Sequence, residues 1–258
     1  MMKVFKSCRS YWDFASSVQQ NNRYILDDPV KEFLEVVVQT SKDRQAKIPE
    51  GSILYRAQRG CTTRPVFQND EHVAEEEWPH PADRMLPVKG KSAEGRANPR
   101  GITYLYLAGN KDTACAEARP WKGAIISVAA FNVRRELKVV DCSKDVKEKK
   151  TSIYYFEEPE PEVREKSVWA DINKAFSKPV NPHDPETEYV PTQVIAELFR
   201  NAGYDGIGYQ SSLADGLNLV LFDIHTVEMI SCFLTKTEGI KFEFDHRKFG
   251  YSCKEIKK

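Results

Sequence analysis

Gly95-Arg96-Ala97-Asn98-Pro99-Arg100-Gly101-Ile102-Thr103-Tyr104-Leu105-Tyr106-Leu107-Ala108, with Thr113-Ala114-Cys115-Ala116-Glu117 close behind, is the stretch on which the reading of the fold turns. Its first seven residues hold two glycines, a proline and two arginines and read as a tight, basic turn. Residues 102–108 are rich in Ile, Leu and Tyr and predict a strand in which Tyr104 and Tyr106 share one face. Asp112 or Thr113 then starts a short helix that carries Glu117. The turn is not G-x-G-x-x-G and does not sit between a strand and a long helix, so it gives no support to a Rossmann unit.

Working outward, residues 52–57 read as a strand carrying Tyr55 and Arg56, and 124–131 and 136–141 as two more. Between residues 60 and 95 the chain has prolines, acids and few apolar positions, which predicts a long irregular loop over the site. Leu26 to Arg44 reads as a helix with Asp28 as N-cap and Pro29 at the first helical position. Residues 142–187 read as a surface insertion with one amphipathic helix over Glu162 to Phe176. A helix from Thr192 to Ala202 closed by Gly203 follows, then strands at 206–210, 217–223, 226–234 and 240–245, with Gly239 turning the last hairpin. The expected architecture is one α+β domain: an N-terminal helical extension over 1–49, a core over 50–225, and a C-terminal β-hairpin extension over 226–258.

At 258 residues with 41% hydrophobic side chains the chain can bury a sizeable core. Lysine plus arginine equals aspartate plus glutamate at 38 each, so no overall field pulls it onto nucleic acid or an anionic membrane. No apolar run approaches a membrane span and no signal-peptide pattern opens the chain, which predicts a cytoplasmic protein. Six cysteines without a C-x-x-C fit reduced thiols, and neither they nor the five histidines have metal-ligand spacing; the histidines read as surface residues.

Arg56 carries a permanent, forked charge that suits a pyrophosphate or ribose phosphate, although taken alone an exposed surface arginine is the simpler reading. Glu117 stands among Ala114, Cys115, Ala116 and Ala118, a small-residue setting in which a half-buried carboxylate needs a partner or a task. The structural alternative is an ion pair with Arg119 or Arg56. Tyr106 can stack on an aromatic ring or simply pack. Arg96 and Asn98, with Arg100, form either an anion rest or a solvated turn. Ser211 and Ser212 end a short strand with no histidine nearby in sequence, so they read as hydrogen-bonding groups rather than nucleophiles. Tyr55 and Asn218 complete the substrate-binding candidates.

The ordered set Arg56, Glu117 and Ser211 resembles the RES-domain family, which is named for those residue types. The resemblance runs through residues 95–108, Thr113 to Glu117, Tyr-Val-Pro-Thr-Gln-Val-Ile-Ala-Glu (189–197) and Gly-Tyr-Asp-Gly-Ile-Gly-Tyr-Gln-Ser-Ser (203–212). It implies an ADP-ribosyltransferase-like split β-sheet around a cleft for NAD, and an NAD-degrading toxin paired with a helix-turn-helix antitoxin or another inhibitor. On that resemblance Arg56 holds the NAD phosphates or nicotinamide ribose, Glu117 faces the reacting ribose, Ser211 orients it, and Tyr106 lies beside them. NAD is then a substrate and no cofactor is tightly bound. Cleavage of the nicotinamide-ribose bond, by glycohydrolase or phosphorylase chemistry, is the leading reading, with inorganic phosphate as the co-substrate of the second. A protein mono-ADP-ribosyltransferase and a non-catalytic nucleotide-binding module are the alternatives. The segments 1–49, 142–187 and the tail after Ile224 go beyond the compact toxins.

Overall fold

The computed structural model describes residues 3–145, 157–178 and 186–241. The elements in chain order are α1 (Ser10–Gln20), α2 (Asp28–Ser41), β1 (Gln45–Ile48), β2 (Ile53–Arg59), β3 (Thr62–Gln68), β4 (Glu71–Trp78), α3 (Ala82–Met85), β5 (Leu105–Ala108) and α4 (Lys111–Glu117). They continue with β6 (Ile125–Val133), β7 (Leu137–Asp141), α5 (Pro161–Ser177), α6 (Val190–Asn201), β8 (Gly206–Gln210), β9 (Leu217–Leu221) and β10 (Val227–Lys236). The fold class is α+β, as the sequence predicts.

Eight strands form one sheet in the order β1-β7-β8-β9-β5-β2-β6-β10. All neighbours are antiparallel except β7 and β8. The sheet divides at β5 and β2, which are joined only through Tyr55 opposite Ala108. On either side the pairing is continuous: Ile53–Arg59 runs along Ile126–Asn132, and Leu105–Ala108 along Asn218–Leu221. That division opens the sheet where the candidate residues lie.

Several boundaries differ from the sequence reading, each for a physical reason. The parallel pair β7-β8 requires a crossover. The connection carries α5 and α6, and α5 is a core helix rather than part of a surface insertion; its Val168, Trp169, Ile172 and Phe176 are buried. The helices of residues 3–49 pack into the same core. Phe14 stacks on Phe33, Trp169 stacks on Phe199, the Trp169 indole N–H donates to Thr40 Oγ1, and all four rings lie in one core with Val37 and Ile195. β1 closes one edge of the sheet against β7. At the other edge β10 pairs along the length of β6, whose apolar run Ile125–Val133 needs a strand on both sides. The expected strand 240–245 falls largely on residues outside those described, as do His183, His246 and Cys253. The cap of α2 is Asp27, which accepts from the Val30 N–H at 3.0 Å, one residue before the expected Asp28.

The expected irregular loop over 60–95 contains a two-stranded ribbon, β3-β4, that stands apart from the main sheet. Its Thr, Val, Phe and Trp content is strand-forming, but the acids of β4 mask the alternation. His80, expected at the surface, is buried at the foot of the ribbon. Among the described residues the cysteines are free, no helix is long and apolar enough to cross a membrane, and no group of three or more His, Cys, Asp or Glu could hold a metal ion.

Candidate active site

The division of the sheet leaves an open cleft of about 320 Å³ lined by Tyr55 and Arg56 of β2, Gly95 and Arg96 of the basic turn, Tyr106 of β5, Glu117 of α4, Tyr189, Tyr209 of β8 and Asn218 of β9. Six of the nine sequence candidates therefore meet in one place: Tyr55, Arg56, Arg96, Tyr106, Glu117 and Asn218.

Glu117 ends a helix whose N-cap, Asn110, accepts from the Thr113 N–H at 2.8 Å. Ala114 and Ala118 on either side of it also line the cleft, and their small side chains leave room around the carboxylate. Ser211 Oγ donates to Glu117 Oε1 at 2.7 Å and Asn218 Nδ2 donates to the same oxygen at 2.6 Å. Both donors are buried, so the carboxylate has a fixed orientation, and Oε2 keeps its lone pairs for a ligand. Among the described residues neither Glu117 nor Arg56 has an ion pair, so the pairing of Glu117 with Arg119 or Arg56 is not formed.

Arg56 Nη1 is buried without a hydrogen-bond partner. Burial holds the guanidinium below its usual pKa range, opposed by Tyr106. A buried donor on a permanent cation carries a cost that an anionic or hydroxyl-rich ligand relieves.

The basic turn is held from below. The Tyr106 hydroxyl donates to Asn98 Oδ1 at 2.7 Å and accepts from the Ala97 N–H at 3.0 Å. Asn98 Nδ2 in turn donates to the carbonyls of Ala93, Pro99 and Ile102. Asn98 is thus buried under the turn, knitting it together, and does not line the cleft. From α6, Gln193 Nε2 reaches Glu94 Oε1 at 2.9 Å, the Gly95 carbonyl at 3.0 Å and the Asn98 carbonyl at 3.2 Å. Gly95 has no room for a side chain, since a Cβ there would lie 2.7 Å from both Asn98 Oδ1 and the Tyr106 hydroxyl. Arg100 and Ser212 are exposed and outside the cleft, and Ser211 reaches it through Glu117.

Sequence reasoning missed Tyr189, Tyr209 and Gln193 as site residues. All three fall within the quoted stretches 189–197 and 203–212, but nothing in their spacing marks them as facing a cleft. Burial pushes the Tyr209 hydroxyl up to about 12, against the pull of the nearby Arg96 guanidinium, and burial also raises Tyr106. Both phenols therefore stay neutral at any physiological pH. Because the folded pKa of Tyr209 exceeds the ordinary value near 10, its neutral form favours the fold fully below about pH 10, and that contribution is lost as pH rises towards 12. Ultraviolet titration of the folded protein should show phenolate absorbance from Tyr209 appearing only near pH 12, and a Tyr209→Phe variant should lose that component.

Gly216 closes the loop that carries Ser211, its carbonyl accepting from the Ser211 N–H at 2.9 Å. A Cβ at Gly216 would meet Thr113 Oγ1 at 2.1 Å and Asn110 Nδ2 at 2.7 Å. Gly216→Ala should therefore push the loop off α4 and cost about 1–3 kcal/mol of stability. Thr113 Oγ1 has no hydrogen-bond partner, so adding Thr113→Ala should recover part of that loss. Thermal denaturation of the single and double variants measures both effects.

The fold is thus an α+β domain with a divided sheet, and the family described as RES domain matches residues 71–243. The chain belongs to the RES-domain family. Glu117 and Ser211 lie within the matched span, whereas Arg56 precedes it and is brought to the cleft by β2. The fold is also similar to one in the crystal structure of the M. tuberculosis MbcT-MbcA toxin-antitoxin complex, at 16% identity over 77% of this chain and 91% of that chain, with a TM-score of 0.42. The comparison with curated proteins returned no match.

Proposed function

We infer that the protein cleaves the nicotinamide-ribose bond of NAD. The observation that carries this reading is the Glu117 carboxylate, fixed through Oε1 by Ser211 and Asn218, in the same cleft as Arg56, whose buried Nη1 has no partner. Breaking the C1′–N bond sends its electron pair to the nicotinamide nitrogen, which departs neutral, and builds positive charge on the ribose. A carboxylate oxygen beside the ring stabilises that charge and accepts from its hydroxyls. No general base is required to expel nicotinamide, which fits a cleft without histidine in its lining.

Arg56 then takes the ribose or phosphate oxygens, Arg96 adds positive charge on the turn, and Tyr55, Tyr106, Tyr189 and Tyr209 supply aromatic surface for the rings. Water or inorganic phosphate completes the reaction at C1′, giving ADP-ribose with a proton released, or its 1″-phosphate. On this reading the protein acts in the cytoplasm as a RES-type toxin, and a helix-turn-helix antitoxin covers the cleft. Inducing the protein should arrest growth and deplete NAD, whereas an equally expressed Glu117→Gln variant should do neither; unaffected growth with depleted NAD would remove the toxin reading alone.

A further inference from the structure

The ribbon β3-β4 is the part of the molecule that its own fold does not use. Every residue from Thr62 to Trp78 is exposed, on both faces of the ribbon. An isolated two-stranded ribbon is marginal in water and normally covers an apolar face. Here Val66, Phe67, Val73 and Trp78 stay open to solvent, Phe67 at 61% and Val73 at 53%.

The foot of the ribbon, in contrast, is pinned. Ser127 Oγ donates to the Gly60 carbonyl at 2.8 Å and accepts from the His80 N–H at 3.0 Å, so one buried serine holds both chain ends where they leave the sheet. The His80 ring adds a bond to the Arg59 carbonyl at 3.1 Å. The strands are thus presented as an arm on a fixed base.

Its two edges are not equivalent. Pro65 interrupts β3 and lacks the N–H that a strand added there would need. β4 contains no proline, and among the described residues its outer edge pairs with nothing. Charge then selects what can lie along it. Asp70, Glu71, Glu75, Glu76 and Glu77 face a single cation on the ribbon, Arg64, which stacks 3.9 Å over the Trp78 ring. A second copy of β4 would bring carboxylates against carboxylates, and nucleic acid or an anionic membrane would be repelled. An extended segment with alternating basic and apolar residues matches both the charge and the exposed side chains.

We propose that β4 is a docking edge for a partner protein, which adds a basic, apolar-alternating strand along Glu71–Trp78. The edge is separate from the residues lining the cleft, and the proposal does not depend on the reaction performed there.

The test uses the full chain and a labelled eight-residue peptide alternating lysine and valine, the length of β4. Fluorescence anisotropy should show binding that weakens at least about tenfold as salt rises from about 50 to about 300 mM. The same loss is expected in a Glu75→Lys/Glu76→Lys/Glu77→Lys variant, whose exposed substitutions should leave the fold, followed by circular dichroism, intact. Amide exchange should slow over residues 71–78 on binding. A glutamate-valine peptide should not bind, and a lysine-valine peptide N-methylated at alternate residues should lose its affinity because it cannot complete the ladder. Absence of binding by the lysine-valine peptide, binding that survives the triple charge reversal, equal binding by the N-methylated peptide, or self-association of the free protein through this edge would each overturn the proposal.

Discussion

Glu117→Gln should lower the rate of NAD cleavage by about 10²- to 10³-fold while leaving the fold intact. The amide keeps the size of the carboxylate and an oxygen to accept from Ser211 Oγ and Asn218 Nδ2, so the two buried donors remain satisfied. What it loses is the negative charge facing the ribose as the C1′–N bond lengthens. Because that charge matters most in the transition state, the loss should appear in kcat, with KM little changed. Glu117→Ala is the less informative variant, since it strands both donors in a buried site and adds a stability defect. Steady-state rates together with thermal unfolding separate the two effects. A Glu117→Gln protein that cleaves at the native rate would contradict the assigned role.

Arg56→Met should do the opposite to stability and binding. Arg56 is half-buried with Nη1 enclosed and unpartnered, and methionine fills comparable space without burying a charge. The variant should therefore be more stable by about 0.5–2 kcal/mol. Its affinity for NAD should fall by about 10- to 100-fold, the worth of a charge-assisted hydrogen bond in such a site. Calorimetric titration with NAD and thermal denaturation give the two numbers on one sample. A variant that binds normally, or that is destabilised, would mean that Arg56 serves the fold and not the ligand.

How much of this was legible in the sequence depends on the range of the interactions involved. The turn 95–101, the strand after it and the helix of Glu117 are set by local chemistry, and the structure has all three with boundaries shifted by a few residues. Arg56, Glu117 and Ser211 could be singled out because their types and order resemble a family. Their meeting in one region could be expected only through that resemblance, because it depends on the sheet order placing β2 beside β5 and β9 beside β8.

Asn98 shows where local reading runs out. In sequence it is one polar residue in a basic turn, open to an anion or to solvent. In the structure its amide is consumed by three carbonyls and the Tyr106 hydroxyl, so it shapes the turn without facing the cleft. Gln193 is the same lesson from a distance of almost a hundred residues: a glutamine on an amphipathic helix gives no sign that it will clasp the Gly95 and Asn98 carbonyls. Residues 1–49 and 142–187 read as additions because they go beyond the compact toxins that the chain resembles. The apolar faces of α1, α2 and α5 form one core with α6, a fact that resides in tertiary packing and not in any single segment.

The most direct test is mass spectrometry of the products formed when the purified protein is incubated with NAD, with and without inorganic phosphate, beside Glu117→Gln. The account predicts free nicotinamide from the native protein, accompanied by ADP-ribose or, only when phosphate is present, by its phosphorylated form, and little product from the variant. Intact NAD in both conditions, or equal turnover by Glu117→Gln, would contradict it.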